Sequence, residues 1–176
     1  MRLTTLKRKK YLRRILLTVL VFLTAMAQNV PWLPGLWGGR ALPLLPLTVA
    51  IAVLDQEVPA ILFGAFAGLL WDISTPGLPW NAIYLVCAAF ICAMLMRYTL
   101  NHNWLTVSLL SFFTSAGHIF LRWFIDIRSL DGALYALLRY TLPSLAYTLL
   151  LAPLCYLLVR SIVRKTSRRQ RGVLAE

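Results

Sequence analysis

The chain has 176 residues, of which 60% are hydrophobic and 14% are charged, with a mean hydropathy of +0.73 and a formal net charge of +12. A soluble domain of this length has too little polar surface to cover so much apolar material, because much of any folded surface faces water. The composition therefore excludes an ordinary soluble domain and indicates an all-α polytopic membrane protein.

The positive charge is concentrated at the two ends of the chain. Seven Lys or Arg lie in residues 1–14 and six more lie in residues 160–176. In a soluble chain such runs would suggest nucleic acid, but beside membrane segments they are typical of positive-inside anchoring and of attraction to anionic lipid headgroups. We predict a basic cytoplasmic segment at 1–14, a transmembrane domain at 11–159 and a basic cytoplasmic tail at 160–176, with no nucleic acid partner.

The first apolar run, 11–27, follows the basic segment and ends in Ala25-Met26-Ala27. A cleavable secretory signal has the same order of features. Cleavage would leave five helices, an odd number, whereas an even number of crossings places both ends of the chain on one side of the membrane. We therefore expect an uncleaved first helix.

Five further apolar runs follow, at 42–54, 58–71, 81–96, 104–125 and 134–159. A membrane span needs about 20 residues, so the second and third of the six runs are short. Pro43 and Pro46 leave open a second segment that re-enters without crossing. Six crossings place both basic ends on one side, in agreement with the positive-inside trend, whereas five do not. We predict six transmembrane helices, with the second and third short or paired as a tight hairpin.

Small residues recur along the third and fourth predicted helices, mostly four positions apart. They are Ala60, Gly64 and Gly68 on the third helix and Ala82, Ala89 and Ala93 on the fourth. This spacing lets two helix backbones approach closely. The two strips pack either within the chain or against another membrane protein, and the motif alone fits both.

Asp72 stands at the end of the third helix, in the sequence "WDISTPG". A carboxylate within a membrane is by default a candidate for proton or ion transport. However, Trp71 and Trp80 are typical of the headgroup level, and the residues that follow Asp72 favour a turn. We interpret Asp72 as structural, and we expect Asn81 to cap the fourth helix.

His118, Arg122 and Asp126 recur every four residues on the fifth predicted helix, so they share one face. The predicted topology also brings Arg122, Arg139 and Asp72 to the same side of the membrane. Two hypotheses follow. Asp72 pairs with Arg122 or Arg139, or else Arg122 pairs with Asp126 and only neutralises the end of its own helix.

Signatures of enzymes are absent from the sequence. It contains no G-x-S-x-G, no H-E-x-x-H and no phosphate-binding loop, and its three cysteines have no zinc or redox spacing. We therefore predict that the protein is not an enzyme and has no catalytic residue, cofactor or metal.

The stretch "GAFAGLLWD", followed by a Gly/Pro turn and "NAI", resembles the MreD family of bacterial rod shape-determining membrane proteins. In that family a helix ends in G-hydrophobic-x-D, and after a short turn G-x-N-A-hydrophobic opens the next helix. The matching residues are Gly68, Leu69, Asp72, Asn81, Ala82 and Ile83, while Pro79 stands in place of the family's second glycine. Specific matches extend only over residues 60 to 98.

The resemblance implies a multi-pass protein of the bacterial cell membrane with both termini in the cytoplasm. It implies a non-enzymatic scaffold of the elongation (rod) complex that binds the single-span protein MreC. Together these would link the actin-like MreB to the peptidoglycan synthase formed by RodA and a class B penicillin-binding protein. The family is also similar in fold to the S component of energy-coupling-factor vitamin transporters. A solute-binding subunit is therefore the alternative, although it would need several polar groups that converge among the helices.

Overall fold

The structure is a computed structural model that describes residues 2–29, 40–55, 57–75, 79–98, 103–127, 135 and 137–173. Every regular element among these residues is helical. The α-helices are α1 (Arg2–Asn29), α2 (Leu44–Leu54), α3 (Glu57–Ser74), α4 (Asn81–Tyr98), α5 (Trp104–Arg122) and α6 (Leu142–Val173). Two short π-helical segments flank the connection between the last two, at Trp123–Ile127 and Leu137–Thr141.

Most helices extend beyond the apolar runs that predicted them. Helix α1 includes most of the basic N-terminal segment, and α6 continues to Val173, through nearly all of the basic C-terminal one. Helix α3 ends at Ser74, so Asp72 belongs to its last turn and does not follow it. The predicted fifth helix changes at Trp123 from α to π geometry, which alters the angular spacing of the residues beyond it.

Among the described residues, five helices are long and apolar enough to cross a membrane, and they support a multi-pass membrane protein. Helix α2 has only 11 residues, as the short second run predicted. At 1.5 Å per residue it is about 16 Å long, roughly half of the hydrocarbon thickness of a bilayer. Ten of its residues are buried, and it packs against all five other α-helices. Helix α2 is therefore the centre of the helical bundle and does not line its surface.

Polar contacts group the helix ends into two rims. At one rim, which we call the basic rim, Arg13 of α1 pairs with Asp55 after α2, and Arg97 at the end of α4 pairs with Glu57 at the start of α3. Helices α2, α3 and α4 run between this rim and the opposite one. There the backbone N–H of Leu44 donates to Gln28 Oε1 at 3.3 Å.

The rim opposite the basic rim is called the corner rim, since the turn between α3 and α4 lies there. The start of α6 belongs to it, because the backbone N–H of Leu42 donates to Thr148 Oγ1 at 3.0 Å. The hydroxyl of Ser144 also donates to the backbone oxygen of Arg40. Helix α6 has 32 residues and is about 48 Å long, so it reaches past the basic rim. Its cationic end therefore lies on the same side as that of α1.

Large apolar side chains cover the outside of the bundle. Those on α3 that are more than half exposed are Val58, Leu62, Leu69 and Ile73. On a soluble protein such a continuous apolar surface would cause aggregation. In a bilayer it is the surface that faces lipid, so the exposure pattern agrees with the composition.

Candidate functional site

The candidate site is built on a close crossing of α3 and α4. A Cβ added to Gly68 would meet the Cα of Ala82 and would lie 2.8 Å from its backbone nitrogen. A Cβ on Gly64 would lie 2.8 Å from the backbone oxygen of Leu85 and 3.0 Å from the Cβ of Ala89. Because only glycine permits this approach, the two helix backbones pack in direct contact.

The two predicted strips of small residues therefore meet each other within the chain at their glycines. Ala60, Ala89 and Ala93 are also buried, at 1%, 1% and 4% exposure. Of the two interpretations that the sequence left open, the structure shows packing within the chain. A partner that binds this protein would have to use another surface.

Asp72 caps helix α4 from the neighbouring helix. Its Oδ1 accepts the backbone N–H of Asn81 at 3.1 Å, and its Oδ2 accepts the backbone N–H of Ala82 at 2.9 Å. The first N–H groups of a helix have no acceptor within the helix itself, and the amides of Asn81 and Ala82 are two such groups. The carboxylate also lies at the positive end of the α4 dipole, which stabilises its charge. The short distance between α3 and α4 at Gly68 brings Asp72 within reach of both amides.

Asn81 joins this cap to helix α5. Its Nδ2 donates to Asp72 Oδ1 at 2.9 Å, and its Oδ1 lies 2.9 Å from His118 Nε2. Since the Asn81 oxygen is an acceptor, Nε2 of His118 must carry the proton and donate it. A continuous chain of hydrogen bonds thus runs from Asp72 through Asn81 to His118. The prediction that the Asn81 side chain caps α4 is wrong, because Asn81 is the first residue of α4 and Asp72 provides the cap.

His118 lies between two tryptophan side chains. The ring centroid of Trp71 is 4.7 Å from that of His118, and that of Trp80 is 4.8 Å away, with interplanar angles of 28° and 26°. Tyr84 meets the edge of the imidazole at 5.2 Å. The histidine is 1% exposed, and its Nδ1 has no hydrogen-bond partner among the described residues. We call His118, Trp71, Trp80 and Tyr84 the aromatic cluster.

A second bond joins α4 to α5 beside the aromatic cluster. The hydroxyl of Tyr84 donates to the backbone oxygen of Thr114 at 2.5 Å. It lies against Gly117, where an added Cβ would be 2.9 Å from Tyr84 Oη. Helices α4 and α5 therefore meet at the corner rim through His118 and Tyr84, whereas α3 and α4 meet along their length.

The charged residues predicted near Asp72 do not bind it. The bonds of Asp72 run to Asn81 and Ala82, so the predicted ion pair with Arg122 or Arg139 is replaced by the helix cap. Both arginines are exposed, and Arg139 lies in the second π-helical segment. Asp126 lies in the first π-helical segment, and its side chain is outside the described part of the chain, as is Arg128. The predicted pair between Arg122 and Asp126 stays a prediction.

At the basic rim, two ion pairs bind the connection between α2 and α3. The side chain of Asp55 is fully buried, and that of its partner Arg13 is 23% exposed. The pair between Glu57 and Arg97 is more open, at 40% and 58%. Arg97 Nη1 lies 3.1 and 3.2 Å from the two Glu57 oxygens. The buried pair fixes the end of α2 to α1, and the exposed pair joins the start of α3 to the end of α4.

Two of the cavities on the bundle surface are lined entirely by described residues. One of about 420 Å³ lies at the basic rim, and its polar lining comes from Asp55, Glu57 and Arg97. The other, of about 300 Å³, lies between α4 and α5 and has an apolar lining that includes Ile91 and Leu110. Among the described residues no group of His, Cys, Asp and Glu is arranged to hold a metal ion.

Sequence reasoning identified most residues at the junction of α3, α4 and α5, among them Asp72, Asn81 and His118, but assigned them different contacts. The expected position of the two tryptophans at the headgroup level stays a prediction, whereas the stack of Trp71 on His118 was not foreseen; Trp71 is 4% exposed. The contribution of Tyr84 was missed altogether. The only sequence signals for Tyr84 were its position three residues after Asn81 and the glycine at 117. Both are weak, and they acquire a meaning only from the contacts of Tyr84 with Thr114 and Gly117.

Comparison of the chain with protein-family models, with curated proteins and with solved structures finds no match. The site is therefore interpreted from its own geometry.

Proposed function

We propose that the protein is a non-enzymatic membrane scaffold of the MreD type, which binds MreC and helps couple MreB to peptidoglycan synthesis by RodA and a class B penicillin-binding protein. One observation carries the proposal. The residues on which the family resemblance rests, Gly68, Asp72, Asn81 and Ala82, are joined by direct contacts into one rigid corner. A sequence pattern whose residues contact one another in the structure supports a family relationship better than the same residues would if they lay apart.

A scaffold role also agrees with how the polar groups are used. The Asp72 carboxylate and the Asn81 amide have their hydrogen bonds satisfied within the protein, and they fix the relative positions of three helices. A rigid body of this kind presents fixed outer surfaces to other membrane proteins. The orientation follows from the same proposal, with the basic rim in the cytoplasm, where cationic segments are retained.

The basic rim supports anionic lipid headgroups as a further partner. Its two carboxylates, Asp55 and Glu57, are each paired with an arginine. Further cations lie there without a carboxylate partner among the described residues. They are Lys10, Arg14, Arg160, Arg164 and Lys165. Each such charge near a membrane surface contributes about 1 kcal/mol of attraction to anionic lipid.

The solute-binding alternative has one observation in its favour. The cavity at the basic rim is lined by Asp55, Glu57 and Arg97 as well as by apolar side chains. However, its charged groups already bind each other or Arg13, so a polar solute would have to displace an ion pair. We therefore rank solute binding second.

The test is co-purification with MreC from the source cell, using a tagged chain at its native level. Recovery of MreC with wild-type protein, and its loss with a variant whose corner is disrupted (Gly68→Val), would support the scaffold. The matched control is Leu69→Val, which changes an exposed neighbour on the same helix. Depletion should also make rod-shaped cells round. Recovery of a nucleotide-hydrolysing transport subunit instead of MreC, with cell shape retained, would refute the proposal and favour the alternative.

A further inference from the structure

The buried histidine at the centre of the corner has two different ring nitrogens. Nε2 donates to Asn81 at 2.9 Å, whereas Nδ1 is buried and has no partner among the described residues. Neutral His118 with its proton on Nε2 satisfies this geometry. A second proton would have to go to Nδ1, where it would meet no acceptor among the described residues.

Charged and titratable groups around His118 come from each helix that packs near it. On α3, Asp72 is reached through Asn81, but its charge is already compensated by two backbone amides and one side-chain amide of α4. On α4 the titratable neighbour is Tyr84, which donates its proton to Thr114. On α5 the neighbour is Arg122, one turn further along, which opposes a second positive charge.

The first π-helical segment continues α5 and contains Asp126, whose side chain lies outside the described part of the chain. The remaining α-helices that pack on α5 are α2 and α6. Helix α2 contains no titratable side chain between Leu44 and Leu54, and α6 has only Tyr147 in its first ten residues. The faces of Trp71 and Trp80 attract a cation, which favours protonation. Against this act the burial of the charge, the Nδ1 proton without an acceptor, and Arg122. The burial of the charge and the lack of an acceptor for the Nδ1 proton are both relieved when α5 moves away from α3 and α4.

We propose that His118 is a proton-sensitive lock: the neutral imidazole holds α5 to the corner formed by α3 and α4, and its protonation releases α5 at the corner rim. Histidine is the side chain whose ordinary titration range includes mildly acidic pH. Release breaks the bond to Asn81 and unstacks the two indoles. The Asn81 side chain, which also binds Asp72, is then no longer held in place by His118. The cap of Asp72 on α4 becomes more dynamic as a result. The proposal does not depend on the scaffold function.

The test uses full-length protein in nanodiscs of neutral lipid. In a background with Trp71 and Trp80 as the only tryptophans, the indole fluorescence reports on the aromatic cluster, because unstacking from His118 changes the surroundings and hence the emission of both indoles. Hydrogen–deuterium exchange of the first turn of α4 reports on the cap. As the pH falls from about 8 to about 5, we expect a reversible change of the indole emission together with at least tenfold faster exchange, after correction for the intrinsic pH dependence of exchange.

Two variants separate the lock from other causes. His118→Gln keeps a donor for Asn81 but does not titrate, so both responses should disappear. His102→Gln removes the other histidine of the chain, and both responses should persist. A pH response that survives in His118→Gln would overturn the proposal, as would a change of the indole emission without faster exchange.

If His118→Gln does not fold, the wild-type protein still decides the matter. Histidine-selective ¹⁵N spectra follow the protonation of His118 directly. Protonation and the faster exchange of α4 should have the same midpoint. An imidazole that remains neutral while α4 exchange increases, or one that becomes protonated with the corner intact, would contradict the lock.

Discussion

Gly68 on α3 and Ala82 on α4 are in backbone contact, with the nitrogen of Ala82 only 2.8 Å from the place where a Cβ of residue 68 would stand. The atoms that such a Cβ would meet are backbone atoms of Asn81 and Ala82, which cannot rotate away as a side chain can. The distance between the two helices at this point is therefore set by the absence of a side chain. It also determines whether the carboxylate of Asp72, one turn further on, reaches the start of α4.

Gly68→Ala should lower the free energy of unfolding by about 3 kcal/mol or more, which is the upper end of the cost of overpacking a core. The added methyl group forces α3 and α4 apart and weakens the cap of Asp72 on the amides of Asn81 and Ala82 as well. The measurement is thermal unfolding in detergent, followed by helical circular dichroism. Leu69→Ala, on the exposed side of α3, should change the melting temperature little. Equal melting temperatures for the two variants would show that the helices separate at low cost.

Removal of the Asp72 cap should cost about 1–2 kcal/mol in Asp72→Ala, in the range of helix caps with a favourable dipole interaction. Asp72→Asn should lose less, because the amide keeps one acceptor oxygen while it loses the charge. The order of melting temperatures is thus wild type, Asn variant, Ala variant. If instead Asp72 were paired with an arginine, Arg139→Gln would lower the melting temperature as much as Asp72→Asn does. We expect no such effect of Arg139→Gln.

Gly117→Ala should be destabilising because of Tyr84. The new Cβ would lie 2.9 Å from Tyr84 Oη and would displace the hydroxyl from the backbone oxygen of Thr114. In a Tyr84→Phe background the hydroxyl is absent, so the same substitution should cost less. A double-mutant cycle should give a coupling of about 1 kcal/mol, whereas additive effects would show that the two residues do not act on each other.

The two ion pairs of the basic rim should differ in their contribution to stability. Arg13→Gln leaves the fully buried Asp55 side chain without its arginine. We expect the free energy of unfolding to fall by an amount near the lower end of about 3–5 kcal/mol, since Arg13 itself is partly exposed. Arg97→Gln breaks a pair that is open to solvent and should cost less than about 1 kcal/mol. The double change of Arg13 to Gln and Asp55 to Asn should recover part of the loss. Similar melting temperatures for Arg13→Gln and Arg97→Gln would contradict this ranking.

Binding of anionic lipid should depend on the cations of the basic rim. Replacement of Lys10, Arg14, Arg164 and Lys165 by Gln should remove about 1 kcal/mol of attraction per charge at low salt. Native mass spectrometry from nanodiscs with and without phosphatidylglycerol measures the retained lipid. The control replaces Arg40 and Arg139, exposed residues near the opposite rim. Equal lipid retention by both variants would show that charge position is irrelevant.

The sequence predicted the all-helical membrane class and the approximate helix positions, because apolar runs and charge placement depend on local composition. It also singled out Asp72, Asn81 and His118. It did not predict their mutual bonds, since a capping interaction between two helices depends on their separation, and that separation is set by Gly68. The stack of Trp71 on His118 was not predicted for a similar reason. A tryptophan near a helix end is equally suited to the headgroup layer and to a buried stack, and only the position of α5 distinguishes them.

The burial of α2 has a consequence for the order in which the protein assembles. Helix α2 is second along the chain, yet it packs against α6, and Leu42, two residues before it, binds Thr148, more than 100 positions later. When α2 leaves the ribosome, most of the helices that will surround it have not been synthesised. An 11-residue helix cannot cross a bilayer by itself, so its final position becomes available only when α6 has been inserted. A chain that stops before Leu142 should therefore fail to complete its core and become a substrate for membrane proteases, even though it contains the whole α3–α4 corner.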